Sequence, residues 1–438
     1  MKARSFKRPK VNVITLGCSK NLVDSEVLMS QLKASEFGVE HESTDNSDIV
    51  VINTCGFIDN AKQESIDTIL RFADLKQGGK LEKLIVTGCL SHRYKDDLQA
   101  EIPEVDGWFG TTDMPDLLKS LGADYRTDLL GERMQTTPQH YAYVKISEGC
   151  NRPCSFCAIP LMRGKHVSKS IEMLTTEIKN LVRNGVKEVM LIAQDSTYYG
   201  LDLYGERKLA DLLKYVSDIE GLDWIRLHYA FPSQFPMDVI PVMAERSNIC
   251  NYLDIPVQHI TDTMLKTMRR GITRKRTEEL LNRLRSDIKG LTLRTTVLVG
   301  HPGETEKEYE ELLEFVDQFR FDRLGVFTYS HEENTHAHNL TDDISQEEKE
   351  RRAAEIMDRQ MEINAELNQE KVGSIQKVLI DRLEGNQYVG RTEADSPEVD
   401  NEVWIAQENQ YLRLGDFSEV LIESAGPYDL YGKTVAKD

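Results

Sequence analysis

Short β-branched runs alternate with amphipathic stretches along the first part of the chain. Val11 to Leu16, Asp48 to Asn53 and Lys83 to Thr87 read as strands, and Asp24 to Ala34 and Asp59 to Ala73 as helices, an order that implies a parallel sheet. After Tyr125 the periodicity fades into the polar stretch Arg126 to His140, where a domain boundary is expected. Alternation resumes with strands expected at Tyr141 to Ser147, Glu188 to Ala193, Trp224 to Tyr229, Tyr252 to Ile255, Thr292 to Val299 and Arg323 to Tyr329. Helical segments such as Lys208 to Asp218 and Glu306 to Phe319 separate them, and six such repeats imply a barrel or partial barrel. Ser345 with Glu348 makes a capping box ahead of a charged helix that runs to about Lys371 and stops at Gly373, read as a spoke leading out of the barrel. Beyond it the pattern switches to short strands at Gln376 to Ile380, Gln387 to Gly390, Glu402 to Ile405 and Glu419 to Glu423, which imply a small antiparallel barrel. The fold class is α/β: a parallel sheet domain over 1–130, a partial (β/α)6 barrel over 139–372 and a small β-barrel over 373–438, with no internal repeat.

With 438 residues, 40% of them hydrophobic, the chain is long enough for two or three domains with their own cores, and disorder is excluded as its default state. Its 54 basic and 73 acidic residues leave a formal charge of −19, which repels a phosphate backbone unless basic residues gather on one face. Direct nucleic-acid binding is therefore not expected. No run approaches a membrane span, and the basic start Met1 to Lys10 leads into a strand-like run rather than a signal-peptide core. The chain is read as cytoplasmic, with no membrane partner. Between Gly373 and Asp438 there are 13 acidic residues against 6 basic ones. The run Glu393, Asp395, Glu398, Asp400 and Glu402 reads as a face that repels a nucleic acid and meets a strongly basic protein. The plainer reading of that run is a solvated acidic loop.

The seven cysteines are an odd number on a long acidic chain, which fits reduced thiols serving metal or catalysis better than a disulfide framework. Cys150, Cys154 and Cys157 form a C-x3-C-x2-C run just after the first strand of the second domain. Three thiolates on one loop hold three irons of a cubane cluster and leave the fourth open for a ligand. Zinc would want a fourth ligand at other spacings, commonly a second C-x2-C pair, and none lies nearby in the sequence. Cys18, Cys55 and Cys89 each follow the end of an expected parallel strand, and the carboxyl ends of such a sheet share one edge where ligands bind. They are expected to converge on a second cluster, against the reading of three ordinary buried thiols. Cys250 has no such company and reads as an inert core thiol.

The C-x3-C-x2-C run at the head of a βα-repeat domain resembles the radical S-adenosylmethionine enzymes. Over nearly its whole length the chain is similar to the methylthiotransferase family, through TLGCSKNLVDSE, VINTCGFIDNA, VTGC, EGCNRPCSFCAIPLMRGKHVS, LIAQDSTYYG, YLDIPVQH, MRRGIT, VGHPGETE and FTYSHEENTHA. The resemblance implies an amino-terminal cluster domain, a radical S-adenosylmethionine barrel and a carboxy-terminal TRAM domain, with two 4Fe-4S clusters and S-adenosyl-L-methionine as cofactors. It also implies a reaction with two S-adenosylmethionine molecules, one giving methyl to a sulfur held at the amino-terminal cluster and the other opening a substrate C–H bond. One group of the family modifies adenosine in transfer RNA. The other, the RimO group, modifies an aspartate β-carbon in small-subunit ribosomal protein number twelve. The segments GCSKNLVDSE, CGFIDNAKQES, AQDSTYYG and ADSPEVD resemble the second, whereas the first tends to start GC-Q-M-N and to carry a basic TRAM domain. A scaffold that holds iron–sulfur or zinc without catalysis is the alternative from another class.

The same resemblance places Phe156 beside the adenine ring; packing is the plainer role for it. Gln194 and Asp195 follow the second barrel strand, Gln258 the fourth, and Gly300, Gly303 and Glu304 the fifth, so all are candidate S-adenosylmethionine contacts at the carboxyl-end mouth. Here glycine would let a backbone approach the ligand. His301 stands where the family pattern often has phenylalanine. Arg163 and Lys165 are candidates to meet a cofactor or target carboxylate, or to make structural salt bridges. His331, His336 and His338 lie in a polar run read as a loop rather than a metal site. No catalytic acid or base is assigned.

Overall fold

The computed structural model describes residues 9–44, 47–129, 131–407 and 411–435. Most of the basic start, Met1 to Arg8, lies outside the described residues, as do Glu408 and Asp438 of the acidic tally. The first sheet holds β1 (Lys10–Thr15), β2 (Gly38–His41), β3 (Ile49–Thr54), β4 (Lys83–Gly88) and β5 (Gly107–Trp108), all parallel, in the order β2-β1-β3-β4-β5. Every residue of β3 is buried, because helices cover both faces. Leu28, Met29 and Leu32 pack on Val11, Val13 and Val51, and Ile69 and Ala73 on Val50, Ile52 and Leu84. The short strands β2 and β5 carry too little pattern to be read from the sequence.

The helix expected from Asp24 begins earlier, at Ser19, and runs to Ala34. Its first turn shows no hydrophobic periodicity because Lys20, Asn21, Ser25 and Glu26 are buried polar residues turned toward other parts of the molecule.

The second sheet is open and wholly parallel, with β6 (Tyr141–Lys145), β9 (Glu188–Ile192), β10 (Trp224–Leu227), β11 (Ile249–Asp254), β12 (Thr292–Val299) and β13 (Arg323–Thr328) side by side in chain order. A two-stranded antiparallel ribbon, β7 (Ser147–Glu148) with β8 (Val167–Ser168), brackets the loop that carries Cys150, Cys154 and Cys157. Successive residues point to opposite faces. Val144, Val189, Leu191, Ile225, Leu227 and Val297 meet the outer helices in the main core, while Tyr141, Tyr143, Glu188, Arg226, Tyr252, Arg294 and Arg323 line the inner face.

The helix Gln346–Gln369 does not lead away as a spoke. It buries Ile356 and Ile363 in the main core and packs along β13, closing the edge of the sheet. Ser345 caps it by accepting from the Glu348 N–H, but the Glu348 carboxylate turns to Arg351 and Arg352 instead of completing the box. The full reciprocal box forms at Thr305 and Glu308.

The last unit is a closed barrel of β14 (Ile375–Glu384), β15 (Gln387–Arg391), β16 (Val403–Ala406), β17 (Phe417–Ala425) and β18 (Leu430–Thr434). It is not wholly antiparallel: β18, absent from the sequence reading, closes it by running parallel to β16. The acidic run lies in the 392–402 loop between β15 and β16, and it is not a docking face. The loop plugs the inner face of the open sheet, where buried arginines demand partners. Arg323 donates to Asp395 (3.1 Å), Arg294 to Asp400 (3.3 Å) and Tyr252 Oη to Asp400 (2.8 Å). Tyr141 and Tyr143 donate to Glu398, and Glu402 pairs with Arg382 within the barrel itself. Of the five carboxylate residues only Glu393 and Glu398 are exposed.

Candidate functional site

Cys18 caps the helix Ser19–Ala34 after β1, Cys55 directly follows β3, and Cys89 opens the helix Cys89–Glu101 after β4. Because β1, β3 and β4 are neighbours, the three thiols share one edge of the first sheet. Gly17 has φ +90°, and a Cβ there would lie 2.7 Å from Cys55 Cβ and 2.9 Å from its Sγ, so glycine is what lets the Cys18 turn sit against Cys55. Asn21 ties the set together: its amide donates to Leu16 O (2.7 Å) and Thr54 O (3.1 Å), and its Oδ1 lies 3.9 Å from Cys89 Sγ. Ser65 Oγ accepts from the Cys55 N–H and donates to the Cys55 carbonyl.

Arg163, at the end of the helix Ile159–Arg163, reaches from the barrel domain to this set. It is buried, donates to Glu148 (2.9 and 3.0 Å) and Asp24 (3.2 Å), and bonds Asn21 Oδ1. Lys145 completes the network with Asp24 and Glu148. Although burial opposes ionisation, Lys145 and Arg163 hold Glu148 well below the usual carboxylate range. Cys18 is accessible to solvent although protein atoms crowd it closely. Burial alone would raise its pKa, but Lys20 and Arg163 bring it below the ordinary thiol value. Burial pushes Cys55 up and Cys89 up to about 12. Metal binding at those two must therefore release protons.

At the barrel, the Arg152 backbone N–H points at Cys150 Sγ (3.4 Å) and the Arg270 side-chain Nη1 at Cys154 Sγ (3.2 Å). Burial raises Cys150 to about 11 and raises Cys157 as well. Arg152 and Arg270 sandwich Phe231, each 4.1 Å from its centroid. The loop is pinned by Ser155, whose N–H donates to Met268 O and whose hydroxyl meets His301 Nε2 at 3.0 Å. That bond is what His301 does in place of phenylalanine.

Among the described residues no three His, Cys, Asp or Glu side chains converge as a single metal ion requires. Within each set the thiols are near enough to act on one another electrostatically, and three thiolates per set is the number that a cubane cluster with one open iron takes.

The other candidates sit at the carboxyl-end mouth and differ in what already holds them. Gln194 donates to Glu148 (3.1 Å), and its Oε1 is buried without a partner, open to a donor on a ligand. Phe156 is half-buried against Met264, Met268, Leu298 and Tyr329, edge-on to His301. Gln258 has φ +70° and forms a bridge to Val297. Gly303 has open space where a Cβ would stand. Two positions turn inward instead. The Asp195 carboxylate is taken by Arg152 (2.6 Å), and the space at Gly300 is filled by Lys349, whose Cγ would lie 2.2 Å from an added Cβ, whereas Glu304 gives Oε1 to Arg352 (2.6 Å) and keeps a buried Oε2 without a hydrogen-bond partner. A position at a strand end places the residue but does not show that a neighbouring arginine has already claimed it. Arg163 is a structural bridge, and Lys165 is exposed. His331 stacks on His338 at 4.3 Å. Cys250 is buried against Trp224, Tyr252 and Leu379, and burial raises its thiol to about 12. Sequence reasoning missed Asp24, Lys145, Glu148, Arg152 and Arg270, although most of them lie inside or beside the matched segments, as in EGC and MRRGIT.

Comparison with known proteins gives three family matches: the uncharacterized protein family UPF0004 over residues 10–110, the radical SAM superfamily over 144–316 and the TRAM domain over 372–435. The chain is 60% identical over 436 residues to the ribosomal protein uS12 methylthiotransferase RimO of Cytophaga hutchinsonii, covering 99% of this chain and 100% of that one. It is 52% identical to the protein of the same name from Bacteroides thetaiotaomicron, again over 99% and 100%. Among solved structures, the radical S-adenosylmethionine methyltransferase TsrM from Kitasatospora setae matches with TM-score 0.56 at 14% identity over 72% of each chain. The cobalamin-dependent S-adenosylmethionine radical enzyme OxsB matches with TM-score 0.53 at 14% identity, over 80% of this chain and 56% of that one. At such identity the two structures speak for the fold alone. No described helix is long and apolar enough to cross a membrane.

Proposed function

Because this chain belongs to the ribosomal protein uS12 methylthiotransferase RimO family, we propose that it adds a methylthio group to the β-carbon of an aspartate in ribosomal protein uS12, in the cytoplasm. The observation that carries the reading is the occurrence of two three-thiol sites in one chain, linked through Arg163. In this reading Cys150, Cys154 and Cys157 hold one 4Fe-4S cluster, and Cys18, Cys55 and Cys89 the other. Phe156, Gln194, Gln258, Gly303 and Glu304 are the contacts retained for S-adenosyl-L-methionine. When bound, the clusters and S-adenosyl-L-methionine supply the one-electron chemistry that opens an unactivated C–H bond, and the sulfur and methyl that fill it.

The chain's own residues position and enclose. Arg152 and Arg270 direct N–H donors at the barrel thiols, an arrangement that orients ligands and tunes the metal. Leu22 and Val23 of the first domain pack on Tyr143, Met190 and Ile192 of the inner sheet face, while the 392–402 loop fills the same face toward the amino ends of the strands. Water is thereby excluded from two sides, which strengthens the electrostatics of the enclosed groups. Glu148 is kept ionised by Lys145 and Arg163 and so orients the Gln194 amide rather than moving a proton.

A transfer-RNA substrate is disfavoured by family membership, not by the acidic run, most of which is committed to arginines and tyrosines of the protein itself. The decisive experiment is mass spectrometry of uS12 after incubation with the anaerobically reconstituted, reduced enzyme, S-adenosylmethionine and sulfide. A methylthio-sized gain on one aspartate is expected. Formation of 5′-deoxyadenosine with no gain would pass the substrate to transfer RNA or another molecule.

A further inference from the structure

Lys20 is the second residue of the helix that follows Cys18, and it is buried, with 8% of its surface exposed. Its ammonium stands 3.3 Å from the centroid of the Tyr229 ring. Among the described residues no carboxylate lies within 4.0 Å of it. This sets it apart from its neighbours. Lys145 and Arg163 share Asp24 and Glu148, Arg152 holds Asp195, and Arg294 holds Asp254 and Asp400. Those acids are committed to other cations, and the Lys20 ammonium has an aromatic face in place of an anion. A ring recovers part of the cost of burying an ammonium, whereas an anion recovers much more.

The place of this ammonium is informative. Tyr229 lies just past the carboxyl end of β10 in a left-handed conformation (φ +58°), fixed by donation of its N–H to Asp254 and by Ser196 bonding its carbonyl. Two residues on, Phe231 lies between Arg152 and Arg270, which contact the barrel thiols. On the other side, Lys20 lies two residues past Cys18, in the first turn of the helix that Cys18 precedes. The ammonium therefore sits at the mouth between the two thiol sets, where a substrate must meet both.

We propose that Lys20 is a specificity residue that receives the side-chain carboxylate of the target aspartate, with the Tyr229 ring as its resting partner. The inference rests on the uS12 reading. In aspartate the β-carbon is bonded directly to the carboxylate carbon, so an ion pair at Lys20 fixes the reacting carbon to within one bond of an anchored group. An asparagine at the same position would leave the ammonium buried and unpaired, and the site rejects it on that ground.

The test uses full-length reconstituted enzyme and two uS12 peptides spanning the modified position, one with aspartate and one with asparagine. Peptide affinity and kcat/KM are both measured. The wild-type protein is expected to favour the aspartate peptide by about 30-fold or more, the usual scale for an unpaired buried charge. Lys20→Met is expected to abolish that preference, with the loss falling mainly in affinity and KM for the aspartate peptide, and Lys20→Arg to restore part of it. Iron content and the cluster absorbance spectrum guard against a misfolded variant. The proposal is overturned if Lys20→Met keeps the wild-type preference. It is equally overturned if the variant loses iron, which makes Lys20 a partner of the cluster, or if its loss is in S-adenosylmethionine affinity, which assigns the ammonium to the cofactor carboxylate. A wild-type enzyme that leaves both uS12 and the aspartate peptide unmodified is a different result, the failure of the uS12 reading itself.

Discussion

Arg391, on the last strand before the acidic loop, donates through Nη2 to Glu188 Oε2 at 2.8 Å, and both side chains are all but fully buried. Glu188 opens β9 of the central sheet and also accepts from Arg226, while Arg391 holds Asp381 of its own barrel. The pair is therefore a joint between the small barrel and the sheet. Arg391→Met leaves Glu188 and Asp381 short of a buried partner and is expected to lower stability by about 3–5 kcal/mol. Arg391→Lys keeps the charge but not the fork, and should fall between. Denaturant midpoints of the two variants check the order.

The acidic loop makes a second expectation. Asp395 is buried on Arg323, whereas Glu393 is exposed and contributes its carbonyl, not its carboxylate, to Arg226. Asp395→Asn should destabilise by about 3–5 kcal/mol, the scale for breaking a buried pair. Glu393→Gln should stay within about 0.5 kcal/mol, as exposed substitutions do. If the run were a docking face, Glu393→Gln would weaken binding of uS12 while leaving the midpoint unchanged; no loss of binding is expected.

The same interface should make stability fall in acid in two steps. His228 meets Ser396 at 2.9 Å, and burial, outweighing Asp254, holds its pKa below the ordinary value. Its unfolded form takes up a proton first, so its contribution is complete above about pH 6.5 and declines as the pH falls below that value. Glu188, Asp254, Asp381 and Asp395 are held low in spite of burial, by Arg391, by His228 with Arg294, by Arg391 again and by Arg323. Their contribution is present above the unfolded carboxylate pKa and is lost as the pH drops from about 4 through the folded values. Thermal midpoints from pH 8 to pH 3 should show both declines. His228→Gln should shrink the first, to which His166 and His301, also held low by burial, contribute as well, and should leave the second.

Much of this was legible in the sequence, and the exceptions share a cause. The strand at Thr292–Val299 and the helix at Glu306–Phe319 fall where the pattern places them, because one face of each packs on an apolar core. The start of the helix Ser19–Ala34 did not show, since Lys20, Asn21 and Glu26 are buried for polar reasons. The acidic run was misread for the same reason: charge along a chain does not reveal that Arg294 and Arg323, about 70 to 100 residues earlier, lie opposite it. Of the residues picked at strand ends, Gln194 and Glu304 each keep an oxygen without a hydrogen-bond partner, whereas Asp195 is neutralised by an arginine that only the fold brings near.

The first thiol set yields the last expectation, through a residue that holds no metal. Gly17 has φ +90°, which disfavours any side chain, and a methyl group there would press on Cys55 Cβ and Sγ at 2.7 and 2.9 Å. Cys55 is fixed from behind by Ser65, so it has little room to retreat, and the cost falls on the spacing of the three thiols. Two cubane clusters carry about eight irons per chain, and Gly17→Ala should reduce this toward about four, as should Cys89→Ala. Cys150→Ala should remove the other four or so by the same count. Cys250→Ala, in the core beside Trp224, should leave the iron content unchanged. Iron and sulfide analysis of the four reconstituted variants checks this pattern, and full iron in Gly17→Ala would show that Cys55 is not held where the second cluster needs it.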